Sequence, residues 1–189
     1  MADKAEKART EEVGTGPEGR PRYALVFATA RWCEPAIPMR VIFDEVVRDL
    51  ERKVVEARRR VALPVGEDSP ASEALPPAGS DSLLTSAFSR IAGVRGVVLD
   101  VDEVDAVLAS RADDAASGRP PDPAFELDPL ISPDFAETID FVPMIVLMRE
   151  GNRPTEGEEL ARFAGQLPKL HIRDRILGAL GDDLLPPAA

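Results

Sequence analysis

A strand that runs into a cysteine-containing turn constrains this chain more than any other stretch. Residues Tyr23–Thr29 form a continuous apolar run of strand length, which is typical of a strand buried on both faces. The segment Trp32–Ala36, WCEPA, follows, and a helical pattern begins directly after it. Unpaired backbone N–H groups and the positive end of the helix dipole favour a thiolate at a helix N-terminus. The sequence therefore predicts an α/β domain organised around the turn that carries Cys33.

The remainder of the chain alternates helical and strand patterns. A long helix is predicted over Pro38–Arg60, because apolar residues recur there at three- and four-residue steps. The other predicted elements, in order, are a short helix at about Ser82–Ala92, a buried strand at Gly96–Val101, a helix from Asp102 to about Ala116, a hairpin of Met144–Arg149 with Glu159–Ala164, and a last helix at Leu170–Leu180.

Proline, glycine and small polar residues mark the segments expected to lie outside the core. Residues 1–20 are predicted to be a flexible arm, and residues 182–189 a flexible tail. Two proline-rich insertions, at about 64–81 and 117–133, are predicted to lie outside the core. The sequence thus predicts one domain over residues 21–181, interrupted twice.

Charge and cysteine content narrow the classes of partner and compartment. The net charge of −11 argues against binding of nucleic acid. Cys33 is the one cysteine, which excludes an intramolecular disulfide and favours an intracellular, reducing compartment, the cytoplasm ahead of an organelle. His171 is the one histidine and has no companions for a metal site, so no metal or cofactor is predicted. No apolar run reaches about 18 residues, so no membrane span is predicted.

Four segments carry a family resemblance: Trp32–Pro35, Leu99–Glu103, Val142-Pro143 and Arg162–Gly165. Taken in this chain order, they resemble parts of the thioredoxin family. Trp32–Pro35 is similar to the first four positions of its active-site motif, Trp-Cys-x-Pro-Cys. Leu99–Glu103 looks like its second core strand with an acidic exit, and Arg162–Gly165 resembles the end of its last strand. Val142-Pro143 is similar to the cis-proline site that faces the cysteine, so this peptide bond is expected to be cis. The resemblance implies a thioredoxin-like fold, with a central mixed sheet flanked by helices.

The redox machinery that the resemblance implies is altered at three positions. Ala36 stands in place of the family's resolving cysteine, Phe27 in place of its buried acid, and Thr29 in place of a tryptophan. Without a second thiol, an attack by Cys33 would stop at a mixed disulfide. Pro38 lacks an N–H and is expected to disturb the first turns of the helix.

Two kinds of function follow from the resemblance, and the sequence leaves both open. The first is a redox-inactive domain that binds protein partners as a scaffold subunit of a larger assembly. The second is a monothiol oxidoreductase or redox sensor, in which Cys33 is the reactive group and an external thiol resolves it. The altered machinery favours the first. The residues expected to form the motif and a peptide groove beside Cys33 are Trp32, Glu34, Pro35, Ala36, Val142 and Pro143.

Overall fold

The computed structural model describes residues 19–62, 86–118, 127–151, 153 and 156–184. These residues form a four-stranded mixed sheet flanked by helices, which confirms the predicted α/β class. The elements in chain order are strand β1 (Arg22–Thr29), helix α1 (Ala36–Ala62), strand β2 (Gly93–Asp100), helix α2 (Val101–Ser117), helix α3 (Pro133–Glu137), strands β3 (Met144–Glu150) and β4 (Gly157–Ala164), and helix α4 (Lys169–Leu184).

The strands lie in the order β2-β1-β3-β4. β1 is parallel to β2 and antiparallel to β3, and β4 is antiparallel to β3. The carboxyl ends of β1 and β2 therefore meet the start of β3 at one end of the sheet, where the chain turns through Cys33. We call this the cysteine end, and the opposite end, where β1 starts at Arg22 and Tyr23, the tyrosine end.

Each face of the sheet is covered by its own apolar cluster. Successive side chains of a strand point to opposite faces, so Phe27 packs against α1 and α4 whereas Val26 packs on the other face. The Phe27 ring stacks on Phe43 of α1, with the ring centroids 5.3 Å apart. This burial on both faces explains why the sequence of β1 is a continuous apolar run.

Helix α1 confirms the helical pattern that the sequence predicts, with a buried stripe running from Met39 to Ala57. Pro38 does not disturb it. The expectation was wrong because Pro38 lies in the first turn, where a backbone N–H has no partner within the helix. α1 also lies close to β2. A Cβ atom at Gly96 would lie 3.1 Å from Val47 and 3.2 Å from Phe43, so the absence of a side chain there permits the approach.

Several boundaries differ from the sequence prediction. β2 begins at Gly93, three residues before the predicted start, because its pairing with β1 extends to Arg22. Within the predicted helix at 82–92, the described residues are helical over 86–89, and residues 82–85 lie outside the described part. α4 continues to Leu184, into the predicted tail, because the Asp183 carboxylate accepts a hydrogen bond from the Tyr23 hydroxyl, 2.7 Å away.

The second insertion is not wholly outside the core, and that prediction is wrong for residues 127–133. Leu130 and Ile131 are buried in the cluster on the face opposite α1. Ser132 then caps α3, which the sequence analysis missed, by accepting a hydrogen bond from the Phe135 N–H. Proline content indicated a loop correctly, but the second face needs apolar cover that this loop supplies. The first insertion at 64–81 and residues 1–18 of the arm lie outside the described residues.

A helix that crosses a bilayer must be both long and strongly apolar. None of the described helices combines the two properties.

Candidate functional site

Cys33 lies in a double turn between β1 and α1. Its N–H donates to the carbonyl oxygen of Ala30 over 3.0 Å, and its own carbonyl accepts the Ala36 N–H over 3.0 Å. The Ile37 N–H donates to the Glu34 carbonyl over 3.2 Å. Helix α1 begins at Ala36, so Cys33 precedes the helix by one turn of backbone.

This local geometry gives the sulfur little support as a reactive group. The N–H groups of Ala36 and Ile37, at the start of α1, are already bonded to carbonyl oxygens, and Pro38 has no N–H. The Cys33 residue is 6% exposed and belongs to the core cluster on the α1 face. Reactive cysteines are accessible and surrounded by groups that stabilise the thiolate. The expected activation of Cys33 by the helix start therefore finds no donor in these contacts.

A cleft of about 360 Å³ opens beside Cys33. Its apolar floor includes Phe27, the position at which the resemblance implies an acid, and this ring is fully buried against Phe43. Its charged lining comes from Arg31, Arg40 and Asp100. The cleft thus combines an apolar floor with guanidinium and carboxylate groups.

Arg31, in the cysteine turn, contacts the acidic residues at the end of β2 and the start of α2. Its guanidinium lies 2.7 Å from the Glu103 carboxylate and 3.5 Å from that of Asp100. Its backbone N–H donates to Asp102 over 3.0 Å. The hydrogen bond and charge of Glu103, followed by the charge of Asp100, raise the pKa of Arg31 above its usual value. Sequence reasoning noticed the acidic exit but missed its basic partner in the turn.

The structure brings Val142 and Pro143 to the cysteine end as well. The peptide bond between them is cis, which confirms the expectation. Pro143 directly precedes Met144, which pairs with Ala28 of β1. The Pro143 carbonyl accepts the Gly165 N–H over 2.8 Å, and Val142 packs against the core cluster that contains Cys33.

The other predicted groove residues divide by exposure. Ala36 is buried and lines the cleft, whereas Trp32, Glu34 and Pro35 are exposed. The Pro35 carbonyl accepts a hydrogen bond from the Gln166 side chain over 3.4 Å. This contact joins the cysteine turn to the loop between β4 and α4.

Large apolar side chains are exposed at this end of the sheet. Trp32 is 70% exposed and Ile37 is 72% exposed. Val41, one helical turn after Ile37, is also exposed, as is Phe141, whose ring faces Gly165. We call Trp32, Ile37, Val41 and Phe141 the apolar rim. The last three were missed from the sequence, although the position of Ile37 and Val41 off the buried stripe of α1 is a usable signal.

A metal centre needs several His, Cys, Asp or Glu side chains that converge on one point. Within the described ranges, no group of three such side chains is arranged to hold an ion. The charged groups of the site contact one another instead, as the Arg31 cluster and the pair of Arg40 with Asp44 show.

The chain was compared with known proteins at the levels of sequence family and structure. No family model, curated protein or solved structure gave a significant match.

Proposed function

We propose that this chain is a redox-inactive thioredoxin-like protein, which binds protein partners at the cysteine end as a scaffold subunit of a larger assembly. The observation that carries the proposal is the apolar rim: Ile37 lines the cleft, Trp32 directly precedes Cys33 in the chain, and both are largely exposed. A solvated protein gains by burying such side chains, and clusters of them mark interaction surfaces. Aromatic residues in particular supply much of the energy at protein interfaces.

The architecture supports the thioredoxin-like part of the proposal. The element order is strand, cysteine turn, helix, strand, helix, hairpin and terminal helix, which is the order that the resemblance implies. The short helix α3 is an addition within that order. Cys33 and Pro143, the two positions expected to lie together, are both at the cysteine end.

The chemistry of the site supports the redox-inactive part. Disulfide exchange needs an accessible thiolate and a second thiol to release the product. Ala36 offers no thiol, and Cys33 is buried with the nearby N–H groups already bonded. Phe27 places a stacked ring where a proton-transfer acid would be needed. What the surface retains is apolar area and fixed charge, which are sufficient for binding.

Affinity capture from native extract, followed by cross-linking and mass spectrometry, tests the binding function. We expect Trp32→Ser and Ile37→Ser to lose the same set of cross-linked proteins that the wild-type chain retains. Cys33→Ser should keep that set, because the thiol has no part in the contact. Val61→Ser is the matched control, since Val61 is as exposed as Trp32 but lies in the last turn of α1. Equal capture by all four variants would refute binding at the apolar rim.

The alternative is a monothiol oxidoreductase or redox sensor, and it draws on one observation: Cys33 lines the cleft. If a small disulfide such as glutathione disulfide reached the cleft, the Cys33 thiolate would attack one of its sulfurs. A mixed disulfide would form, the S–S bond of the small molecule would break, and its other half would leave as a thiolate. Intact-mass measurement of the protein, purified under conditions that block thiol exchange, separates the two functions. A glutathione or protein adduct on Cys33 in most molecules would support the alternative, and an unmodified thiol supports the scaffold.

A further inference from the structure

We infer that the outer edge of β2 is an interface through which two copies of this chain pair antiparallel, continuing the sheet from one copy into the other. This goes beyond the proposed function, because it concerns the outer edge of the sheet and not the apolar rim. In the described part of the chain, β2 is hydrogen-bonded along one side, to β1. Alternate residues of such a strand direct their N–H and C=O groups away from the sheet, where another strand can pair with them.

The two edges of the sheet are built differently. The β4 edge carries Glu158, Glu159 and Arg162, and a bulge interrupts its pairing with β3 at Leu147 and Met148. Charged side chains and bulges are the devices by which proteins prevent edge-to-edge pairing. β2 pairs with β1 without a register shift, and its two charged residues, Arg95 and Asp100, leave the stretch 96–99 between them without charge. Its sequence is GVRGVVLD, and Val98 remains 39% exposed on an otherwise apolar central stretch.

The charges around β2 indicate a second copy as the occupant. Its start carries more basic than acidic groups. Arg22 pairs with Gly93, the Arg58 guanidinium donates to the Ile91 carbonyl, and Arg95 faces two carboxylates, those of Asp128 and Glu150. Its exit is acidic, because the three carboxylates of Asp100, Asp102 and Glu103 outnumber the one cation that contacts them, Arg31. An antiparallel two-fold arrangement places the basic start of each copy beside the acidic exit of the other. A parallel arrangement would place like charges together, which is destabilising.

The register follows from the faces of the strand. Residues that lie opposite each other in an antiparallel pair share a face, so a two-fold axis must fall at a residue rather than between two. An axis at Val98 places the two Val98 side chains opposite each other and removes both from water. It also places Asp100 opposite Gly96, where no side chain competes for space. No like charges then lie opposite each other across the interface.

Sedimentation velocity of the full chain over a concentration series tests the interface. We expect a concentration-dependent dimer, and Val98→Lys should raise its dissociation constant roughly tenfold or more, since it replaces an apolar pair by two like charges. Leu170→Lys is the matched control, because Leu170 is exposed at the start of α4, away from β2. Circular dichroism confirms that both variants remain folded.

Charge reversal provides a second test that does not depend on Val98. Arg22→Glu alone and Glu103→Arg alone should each weaken the dimer, and the two changes together should restore it. Raising the salt concentration should weaken the wild-type dimer, as screening predicts. A chain that stays monomeric at every concentration would overturn the proposal, as would a Val98→Lys variant that dimerises like the wild type.

Discussion

The two ends of the sheet differ in the burial of their aromatic side chains. At the tyrosine end, Tyr23 is 1% exposed, and its hydroxyl donates to Asp183 of α4. Burial, followed by the hydrogen bond and charge of Asp183, raises the pKa of Tyr23 above its ordinary value. At the cysteine end, Trp32 lies in solvent. Tyr23 therefore joins β1 to α4, whereas the Trp32 ring contacts solvent.

Charged groups follow the same division. At the tyrosine end, Arg95 bridges Asp128 and Glu150, and Arg149 bridges Asp183 and Glu158, so segments distant in sequence are held together. At the cysteine end, the Arg31 cluster fixes a turn, but the apolar rim beside it has no cover in the described structure. The tyrosine end is thus held by ion pairs between segments, whereas the cysteine end exposes apolar side chains. Stability and the proposed binding should therefore be separable by mutation.

The aromatic pair gives the largest expected contrast. Tyr23→Ala should lower the free energy of unfolding by about 3–5 kcal/mol, as the removal of a buried aromatic ring does. Trp32→Ala should change it by less than about 0.5 kcal/mol, because an exposed side chain loses few contacts. Urea unfolding followed by circular dichroism measures both. A Trp32→Ala variant as unstable as Tyr23→Ala would contradict the division between the two ends.

Leu130 tests whether the second insertion belongs to the stabilised end. It is buried beside Gly157, the first residue of β4, so Leu130→Ala should cost about 2–5 kcal/mol. Leu170→Ala, at an exposed position, is the matched control and should have little effect. If both substitutions proved equally mild, residues 127–131 would have to be regarded as a loop that merely touches the sheet.

Acid should weaken the tyrosine end through Asp128. Burial alone would raise its pKa, but hydrogen bonds from Arg95 and from the Leu130 N–H lower the pKa below the usual value. The folded state thus holds the proton less tightly than the unfolded state. The stabilisation is complete above the ordinary carboxyl pKa, near about 4, and is lost as the pH falls through the lower folded value.

The size of this effect is limited by solvent. Both Asp128 and Arg95 are partly exposed, so we expect a contribution on the order of 1 kcal/mol or less. Urea unfolding of wild type and Asp128→Asn, between about pH 5 and pH 2.5, should show a flatter decline for the variant. Identical pH profiles for the two proteins would show that ionised Asp128 does not stabilise the tyrosine end.

The smallest expected effect is the loss of the thiol at the cysteine end. In insulin reduction with dithiothreitol, wild type and Cys33→Ser should both match the uncatalysed background, because no second thiol can release a mixed disulfide. Ala36→Cys should recover only weak activity, since Phe27 still replaces the acid. Reduction by the wild type well above background, abolished in Cys33→Ser, would replace the scaffold with a monothiol enzyme.

The sequence predicted those elements whose periodicity is set by burial. β1 is apolar along its whole length because it is covered on both faces, and α1 shows its buried stripe because one face meets the sheet. The positions of Cys33 and Pro143 at one end were expected from the resemblance and agree with the strand pairing. The apolar run of β1 and the apolar stripe of α1 each fit few structures other than a buried strand and a helix with one buried face.

The features that were missed depend on contacts between distant segments. Leu130 and Ile131 are two apolar residues among prolines, and only the uncovered face of the sheet gives them a place in the core. The last turn of α4 is fixed by Tyr23, more than one hundred residues earlier, so no local pattern marks its end. The exposure of Ile37 and Val41 likewise depends on which face of α1 meets the sheet, and on what is packed beside it.

The exposure of Trp32 has a spectroscopic consequence. It is the one tryptophan in the chain, so its indole dominates the intrinsic fluorescence. Because the ring is already in water in the folded state, its emission maximum should move little on unfolding, and fluorescence would report the denaturation of this protein poorly. A partner that covered the ring would instead shift the emission to the blue. The native chain therefore carries a built-in optical probe of occupancy at its cysteine end, with no label attached.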